Sequence, residues 1–372
     1  MMKLGRFVVE CHGHISTLYK SVDGVEGKKW TGLTHQAGDG ELASYDNSPL
    51  TLYDMETYGI DMVVLKPSQI GTTNEAQLKI VEKHPDKFVS FCADQTTKLK
   101  AQRGEKPWNL NDAVDEIDAA LQTGKYCGIG EFIPRDWKKN YTYEERLEEC
   151  RIFFDMARKY DVPIDFHEWT WDYSFNVWIL LMKLAAEYQD VKIIVNHGGL
   201  SIGHYPVKEQ NMRRCMEAVG FPLLRESNVY IEVGTWPAEM IRTAVEDPNI
   251  GPTQLLWGTD YGHVPQYIIS HPGGQDQSVH PTSVKKWPAV PAYQVDWWGY
   301  VTTTMLELKK TVAQDEMNLI LGGNAAKIFR LPVPHERMFL CGRPDVFGIN
   351  WEESIPYIPR EQVINPDFPD EE

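Results

Sequence analysis

Residues 6–14 of the chain read RFVVECHGH. A short apolar run with consecutive valines is typical of a buried β-strand, and this one ends in a glutamate and two histidines at alternate positions. Residues two apart on an extended strand point to the same side, so we expect Glu10, His12 and His14 to converge. Such a group can hold a metal ion. The alternative is a polar loop whose histidines have no ligand role.

Short apolar runs of the same kind recur along most of the chain and alternate with amphipathic stretches. This alternation is typical of βα units around a parallel sheet. The predicted strands span residues 6–11, 61–65, 88–93, 126–131, 162–166, 191–196, 229–233 and 254–258. Eight βα units predict an α/β protein built as a single (β/α)₈ TIM barrel.

Three stretches do not follow the repeat. Residues 16–47 come after the first predicted strand, residues 262–295 come after the eighth, and residues 332–372 form a Pro-rich acidic tail. Loops that follow strands form the active-site face of such barrels, so we expect the first two to shape a site. We predict a metal-dependent barrel over residues 1–331 and a C-terminal arm over residues 332–372.

The clearest predicted helix spans residues 142–159. Thr142 and Glu145 form a capping box at its start, and its apolar residues fall on one stripe. A second helix is predicted over residues 175–188. Shorter helices are predicted over residues 296–310 and 324–329.

Three more side chains of metal-ligand type follow the fifth, sixth and eighth predicted strands, namely His167, His197 and Asp260. A single buried histidine is more often a hydrogen-bonded core residue than a ligand. The combination favours a site, because four separate strand ends present ligand side chains to the same face of the barrel.

Composition excludes several classes of function. The net charge of −16 argues against nucleic acid or an anionic membrane as the main partner, since both require a basic surface. A small-molecule substrate fits better, and a carboxylate would need local cations or a metal to hold it. The six cysteines form no CxxC pair, and no apolar run approaches membrane-spanning length. We therefore expect a cytoplasmic protein with reduced thiols.

Taken together, the motifs resemble the amidohydrolase superfamily. The resemblance rests on the pair His12 and His14, on His167, and on the stretches NHGG at 196–199, WGTD at 257–260 and GGNAA at 322–326. Within amidohydrolase family 2, the chain is most similar to the branch of aminocarboxymuconate semialdehyde decarboxylase and the γ-resorcylate-type decarboxylases.

The resemblance implies a divalent metal ion, Zn²⁺ or Mn²⁺, bound by four residues: His12, His14, His167 and Asp260. Glu10 stands where many members carry aspartate and some a ligating glutamate, so it joins the candidate ligands. His197 matches the residue that members use as proton donor or base. Asp260 is a second candidate for accepting a proton.

The chain offers more ligand side chains than one ion needs. His263 lies three residues beyond Asp260, Glu168 directly follows His167, and Glu10 has no assigned partner. This surplus allows a second metal ion. Some relatives in the superfamily have dinuclear sites, and a few use iron or manganese to hydroxylate a substrate with O₂.

Substrate-binding residues follow less directly from the sequence. Members of the branch often place an arginine near the metal for the substrate carboxylate, and Arg135 and Arg213 are the candidates here, with Arg214 and Lys66 as alternatives. Trp169 can wall a flat substrate. Each cation is equally explained by a salt bridge, and tryptophan also fills ordinary barrel cores.

The leading hypothesis for function is a metal-dependent lyase that decarboxylates an aromatic or unsaturated carboxylic acid without oxidation. A hydrolase or hydratase that uses the same residues is the second hypothesis. A dinuclear iron or manganese hydroxylase is the third, and a metal-binding partner subunit of an active homologue is the fourth. The C-terminal arm predicts a homo-oligomer, or a hetero-oligomer with a homologue.

Overall fold

The computed structural model describes the strands, most of the helices and the segments that join them. The described residues are 7–15, 48–67, 73–102, 104–167, 177–199, 228–234, 236, 238–261, 298, 308 and 310–333. The predicted loops 16–47 and 262–295 and the arm 332–372, apart from its first two residues, lie outside them. The domain boundary at residue 331 therefore stays a prediction.

In the described part of the chain, seven strands form two parallel sheets. The first sheet holds β1 (Val9–Gly13), β2 (Met62–Leu65) and β3 (Phe88–Ser90), and the second holds β4 (Ile164–Phe166), β5 (Ile193–Val195), β6 (Val229–Glu232) and β7 (Leu255–Leu256). All strands pair in parallel with their neighbours. Every one falls on a predicted strand, although β1 continues two residues further.

The fourth predicted strand, 126–131, is the exception, because it forms isolated bridges instead of a regular strand. Ile129 bridges Cys92 on one side and Ile164 on the other, which joins the two sheets. Gly130 has a φ of 137°. Only glycine adopts this conformation without strain, and it interrupts the extended geometry that a longer strand requires.

The ring closes where the last strand meets the first. Cys11 N donates to the carbonyl of Trp257 at 2.9 Å, and His14 N donates to the carbonyl of Tyr261 at 2.7 Å. Gly13 and Tyr261 form a parallel bridge. With the bridging segment around Ile129, these bonds complete the eight-stranded (β/α)₈ barrel that the sequence predicts.

Nine α-helices lie in the described part of the chain. They are α1 (Ser48–Tyr58), α2 (Asn74–Lys83), α3 (Gln95–Gln102), α4 (Leu110–Gln122), α5 (Tyr143–Tyr160), α6 (Val177–Glu187), α7 (Ala238–Glu246), α8 (Gln314–Asn318) and α9 (Asn324–Phe329). The capping box predicted for α5 is confirmed, with Thr142 as N-cap and Glu145 as its partner. The prediction for α9 is also confirmed. Of the predicted helix 296–310, most residues lie outside the described ones.

Apolar side chains pack on both faces of the strands, as parallel barrels require. Val63 and Leu65 of β2 belong to the larger cluster, which includes Phe153 and Leu181 of the outer helices, and Val64 belongs to a second cluster. No disulfide joins the described cysteines Cys11, Cys92, Cys127 and Cys150. Within the described residues, no helix is both long enough and apolar enough to span a membrane.

Candidate metal centre

Four histidines converge at the carboxyl ends of the barrel strands. The ring of His12 on β1 lies 4.9 Å from that of His14, 4.9 Å from that of His197 and 6.2 Å from that of His167. All four side chains are buried. The structure thus brings together the histidines that the sequence predicts, from three strands of the ring.

Two carboxylates face these imidazoles. Glu131 Oε1 lies 3.7 Å from His12 Nε2 and 3.5 Å from His167 Nε2. Asp260 Oδ1 lies 3.6 Å from His12 Nε2 and 2.8 Å from His14 Nε2. His12, His14 and Glu131 form a group whose ligand atoms lie within 4.8 Å of one another, close enough to surround one ion.

Two atoms of this group are buried without a hydrogen-bond partner, His12 Nε2 and Glu131 Oε2. Buried polar atoms are almost always satisfied, so such atoms call for an explanation. The Nδ1 atom of His14 lies 2.9 Å from the carbonyl of Lys66, which can only accept, so Nδ1 carries the proton. In the neutral ring, the lone pair of Nε2 then faces Asp260, and this arrangement requires a cation or a proton between them. The donor set therefore fits a divalent metal ion.

Glu10 does not join this group, because an extra residue in β1 reverses the side-chain alternation. Glu10 pairs with Val63 but Gly13 pairs with Leu65, so three steps along β1 match two along β2. This β-bulge puts Glu10 and Gly13 on one face and the two histidines on the other. A Cβ on Gly13 would collide with the Val63 side chain, so glycine is needed there. For this reason the structure does not bring the Glu10 side chain together with those of the two histidines.

The Glu10 carboxylate is instead occupied by hydrogen bonds from the protein. Oε1 accepts from Thr259 N at 2.7 Å and from His12 N at 2.9 Å. Oε2 accepts from the Thr259 hydroxyl at 2.6 Å and from Trp298 Nε1 at 3.0 Å. Burial raises the pKa of Glu10 to about 7. These bonds hold the segment that carries Asp260 against β1.

Outer partners orient His12 and His197. His12 Nδ1 lies 2.8 Å from Glu232 Oε1, which directs Nε2 towards Glu131 and Asp260. His197 Nδ1 lies 3.2 Å from the same Glu232 oxygen, and its Nε2 lies 3.9 Å from Asp260 Oδ2. A carboxylate behind a ligating imidazole is the usual way in which proteins fix the ring orientation.

His197 and Asp260 have left-handed backbone conformations, with φ values of 54° and 59°. Left-handed residues other than glycine are costly and cluster at functional sites. The next residue, Gly198, also has a positive φ, and a Cβ there would collide with the Trp236 ring. Trp236 Nε1 donates to the His197 carbonyl at 2.8 Å, which fixes this turn.

The local electrostatics ionise Glu131, keep His167 neutral and favour a proton on His12. Burial would raise the pKa of Glu131, but the neighbouring imidazoles of His14, His12 and His167 lower it to about 2. Burial lowers the pKa of His167 to about 3 against the pull of Glu131. Burial would also lower the pKa of His12, yet the charges of Glu232 and Asp260 and the hydrogen bond with Glu131 together raise that pKa to about 10. The site is therefore strongly attractive to positive charge.

An aromatic and cationic wall lies next to the histidines. The Phe132 ring lies 4.2 Å from that of His167 and 5.3 Å from that of Trp137, centroid to centroid. The guanidinium carbon of Arg135 lies 3.8 Å from the Trp137 centroid, and Arg135 is buried. Trp169, Arg213 and His263, all predicted from sequence, lie outside the described residues.

Sequence reasoning missed three acidic residues of this region. Glu131, Asp165 and Glu232 each stand at or next to the end of a predicted strand, at positions 126–131, 162–166 and 229–233. Their position at strand ends could have identified them from the sequence, since strand ends supply the residues of a barrel site. Lys66 is a buried ion-pair partner of Asp165 and Glu232, which agrees with the salt-bridge interpretation.

The sequence matches the profile of a family described as "Amidohydrolase" over residues 9–331. The chain belongs to the amidohydrolase family. The members of this family are enzymes, and the fold and the cluster of histidines described above agree with the assignment. No curated protein matches the sequence at a significant level.

Two solved structures share the fold, and a third is similar over most of both chains. An amidohydrolase from Burkholderia multivorans with bound HEPES matches at 11% identity and a TM-score of 0.54, over 88% of this chain and 100% of the other. A 4-oxalomesaconate hydratase from Rhodopseudomonas palustris matches at 13% identity and a TM-score of 0.51, over 91% and 98%. A 2,6-dihydroxybenzoate decarboxylase from Rhizobium matches at 18% identity and a TM-score of 0.47, over 88% and 99%.

Proposed function

We propose that this amidohydrolase is a metal-dependent lyase that decarboxylates an aromatic or unsaturated carboxylic acid. The observation that carries the proposal is the buried cluster at the strand ends, where His197 and Asp260 stand beside imidazoles with an unpartnered ligand atom. The proposed ligands are drawn from five residues: His12, His14, Glu131, His167 and Asp260.

A borderline or hard divalent ion suits neutral imidazoles combined with carboxylates, so Zn²⁺ or Mn²⁺ is proposed, with Fe²⁺ as the alternative. When bound, the ion acts as a Lewis acid that orients and polarises an oxygen of the substrate. Glu131 and Asp260 balance its charge. A second ion remains part of the hydroxylase alternative, for which the surplus of carboxylates is the only support.

His197 is the proposed proton donor to the substrate carbon that loses CO₂. Its Nδ1 is directed at Glu232, so Nε2 is the atom free to face a substrate on the side of Asp260. Glu232 fixes the orientation of the His197 ring, as the orienting carboxylate does in acid–base pairs generally. The turn at Gly198 and Trp236 keeps the ring in place during the proton transfer.

Flat side chains and a buried cation beside the cluster support an aromatic or conjugated acid as substrate. The Phe132 ring lies 4.2 Å from the His167 ring at an angle of 47°. Trp137 contacts Phe132 edge to face and lies against the Arg135 guanidinium. An aromatic wall favours a planar ligand by stacking. The guanidinium of Arg135 is always charged and can bind a carboxylate with two parallel hydrogen bonds.

A hydrolase or hydratase is the second candidate, and Asp260 favours it. The Asp260 carboxylate faces both His14 and His197, so it can accept a proton from an attacking water. The products separate the two reactions, because a decarboxylase releases CO₂ whereas a hydrolase or hydratase adds water to its substrate. An activity that appears only with a co-purified homologue would support the partner-subunit alternative.

Elemental analysis of the purified chain, followed by CO₂-release assays on hydroxybenzoates and unsaturated acids, tests the proposal. We expect zinc or manganese and a detectable decarboxylase activity. His197→Asn is expected to lower kcat about 10²–10⁴-fold, the usual share of a general acid, without changing the metal content. The control is His84→Asn, which alters a histidine at the end of α2. Absence of metal, or full activity in His197→Asn, refutes the proposal.

The predicted cytoplasmic location, the division at residue 331 and the assembly into oligomers are kept as proposals. The acidic charge and the Pro-rich arm of residues 332–372 are their support. Light scattering of the full chain and of a variant truncated after residue 331 tests the assembly. A monomer in both cases contradicts a role for the arm.

A further inference from the structure

A second group of buried polar side chains lies beside the candidate metal centre and is organised around one lysine. The Lys66 ammonium lies 2.9 Å from Asp165 Oδ2 and 2.9 Å from Glu232 Oε2. It also donates to Asn196 Oδ1 at 2.7 Å. Each oxygen comes from a different strand or strand end, so one cation joins three neighbouring parts of the ring.

This arrangement is closed to solvent. Lys66 is 1% exposed, Asn196 is 2% exposed, and both acids are fully buried. A buried ammonium is stable only where carboxylates and further oxygen ligands surround it, and a divalent cation has the same requirement. The oxygens of Asp165, Glu232 and Asn196 therefore form a cation-binding pocket, and the Lys66 ammonium occupies it.

Glu232 links this pocket to the centre. Its Oε2 contacts Lys66, while its Oε1 lies 2.8 Å from His12 Nδ1 and 3.2 Å from His197 Nδ1. His12, His197 and Glu232 make up a second group whose ligand atoms lie within 4.8 Å of one another. An ion held by this group would have to bind the Glu232 carboxylate, which is already paired with the Lys66 ammonium.

Unused binding capacity remains around the lysine. Asp165 Oδ1 is buried and has no hydrogen-bond partner. His197 Nδ1, which lies 3.2 Å from Glu232 Oε1, is also an atom of a kind that binds divalent metals. The second group could therefore take an ion if the ammonium were absent.

We propose that Lys66 is the positioning residue of the centre, and that its ammonium takes the place of a second cation at Glu232. Its charge excludes an ion from the group of His12, His197 and Glu232. Ion binding is then restricted to the group of His12, His14 and Glu131, and Glu232 stays directed at His12. The inference rests on the proposed metal centre.

The test compares the number of metal ions per chain in the wild type and in Lys66→Ala, each saturated with Mn²⁺ and then freed of excess. We expect Lys66→Ala to hold one more ion per chain than the wild type. The double variant Lys66→Ala with Asp165→Asn is expected to lose this extra ion. Lys98→Ala is the matched control, since Lys98 is a buried lysine paired with Asp94 at 2.7 Å, and its ion count should equal that of the wild type.

An equal ion count in folded Lys66→Ala and in the wild type overturns the inference, as does an extra ion that survives in the double variant. If Lys66→Ala does not fold without metal, the test becomes its thermal unfolding measured in the presence of excess Mn²⁺. Metal that restores folding to Lys66→Ala but not to Lys98→Ala supports the inference, whereas no restoration overturns it. A wild type that binds no metal refutes the proposed function itself, which is a distinct outcome.

Discussion

Charged side chains meet in two regions of this barrel whose surroundings differ. At the strand ends, His12 and Glu131 are buried, and each has an atom without a hydrogen-bond partner. Between α5 and α6, Arg151 and Glu187 form a salt bridge of 2.7 Å at the half-exposed surface. Water screens the outer pair, and it does not reach the inner group. Similar charges can therefore bind a ligand in the buried region and contribute little to stability at the surface.

The largest effect is expected from His12→Asn, which removes the imidazole shared by both candidate ligand groups. We expect metal affinity to fall by more than about 10²-fold, since loss of a ligand exceeds the loss of an outer partner. Activity should fall below detection. Metal titration and CO₂ release measure both effects. A His12→Asn chain that keeps its metal would show that the ligands are elsewhere.

A smaller effect is expected from Glu232→Gln, which keeps the shape of the side chain but removes its charge from behind His12. We expect metal affinity to fall about 10–100-fold, the usual cost of altering an outer partner. The matched control is Glu116→Gln, because Glu116 accepts from Thr96 N and Thr97 N at the start of α3 and does not contact the centre. Equal affinities in the two variants would contradict the orienting role.

The smallest effect is expected at the outer pair. The hydrogen bond from Arg151 lowers the pKa of Glu187 to about 2. This stabilisation is complete above pH 4.5, the ordinary value, and it is lost as the pH falls towards 2. Glu187→Gln should lower the free energy of unfolding by less than about 1 kcal/mol at pH 7. Urea unfolding of both proteins at several pH values measures this, and a difference that grows below pH 4.5 would contradict the assignment.

The regular parts of the fold follow from local sequence. The capping box of α5 and the apolar runs of the strands are properties of neighbouring residues, so they are visible without the structure. The same holds for His12, His14, His167, His197 and Asp260, each of which stands at or next to a predicted strand end. Their convergence needs only the rule that parallel strands end at the same face.

The features that the sequence did not predict depend on pairing between distant segments of the chain. The bulge in β1 depends on how β1 aligns with β2, some fifty residues away, so alternation within β1 alone misplaces Glu10. The bridging segment is short because Gly130 adopts a conformation that its local sequence does not reveal. Glu131 ends the fourth predicted strand, and its approach to His12 and His167 depends on the path of that segment.

The seam of the ring, where β7 meets β1, has a consequence for assembly. His14 and Asp260 face each other there although 246 positions separate them along the chain. The chain must therefore be synthesised through residue 260 before both exist, and bringing them together is among the longest loop closures that this fold requires. An ion bound between His14 and Asp260 would stabilise the contact between the first and last strands. Both ligands come together only once the barrel has closed, so the ion would stabilise the closed barrel alone.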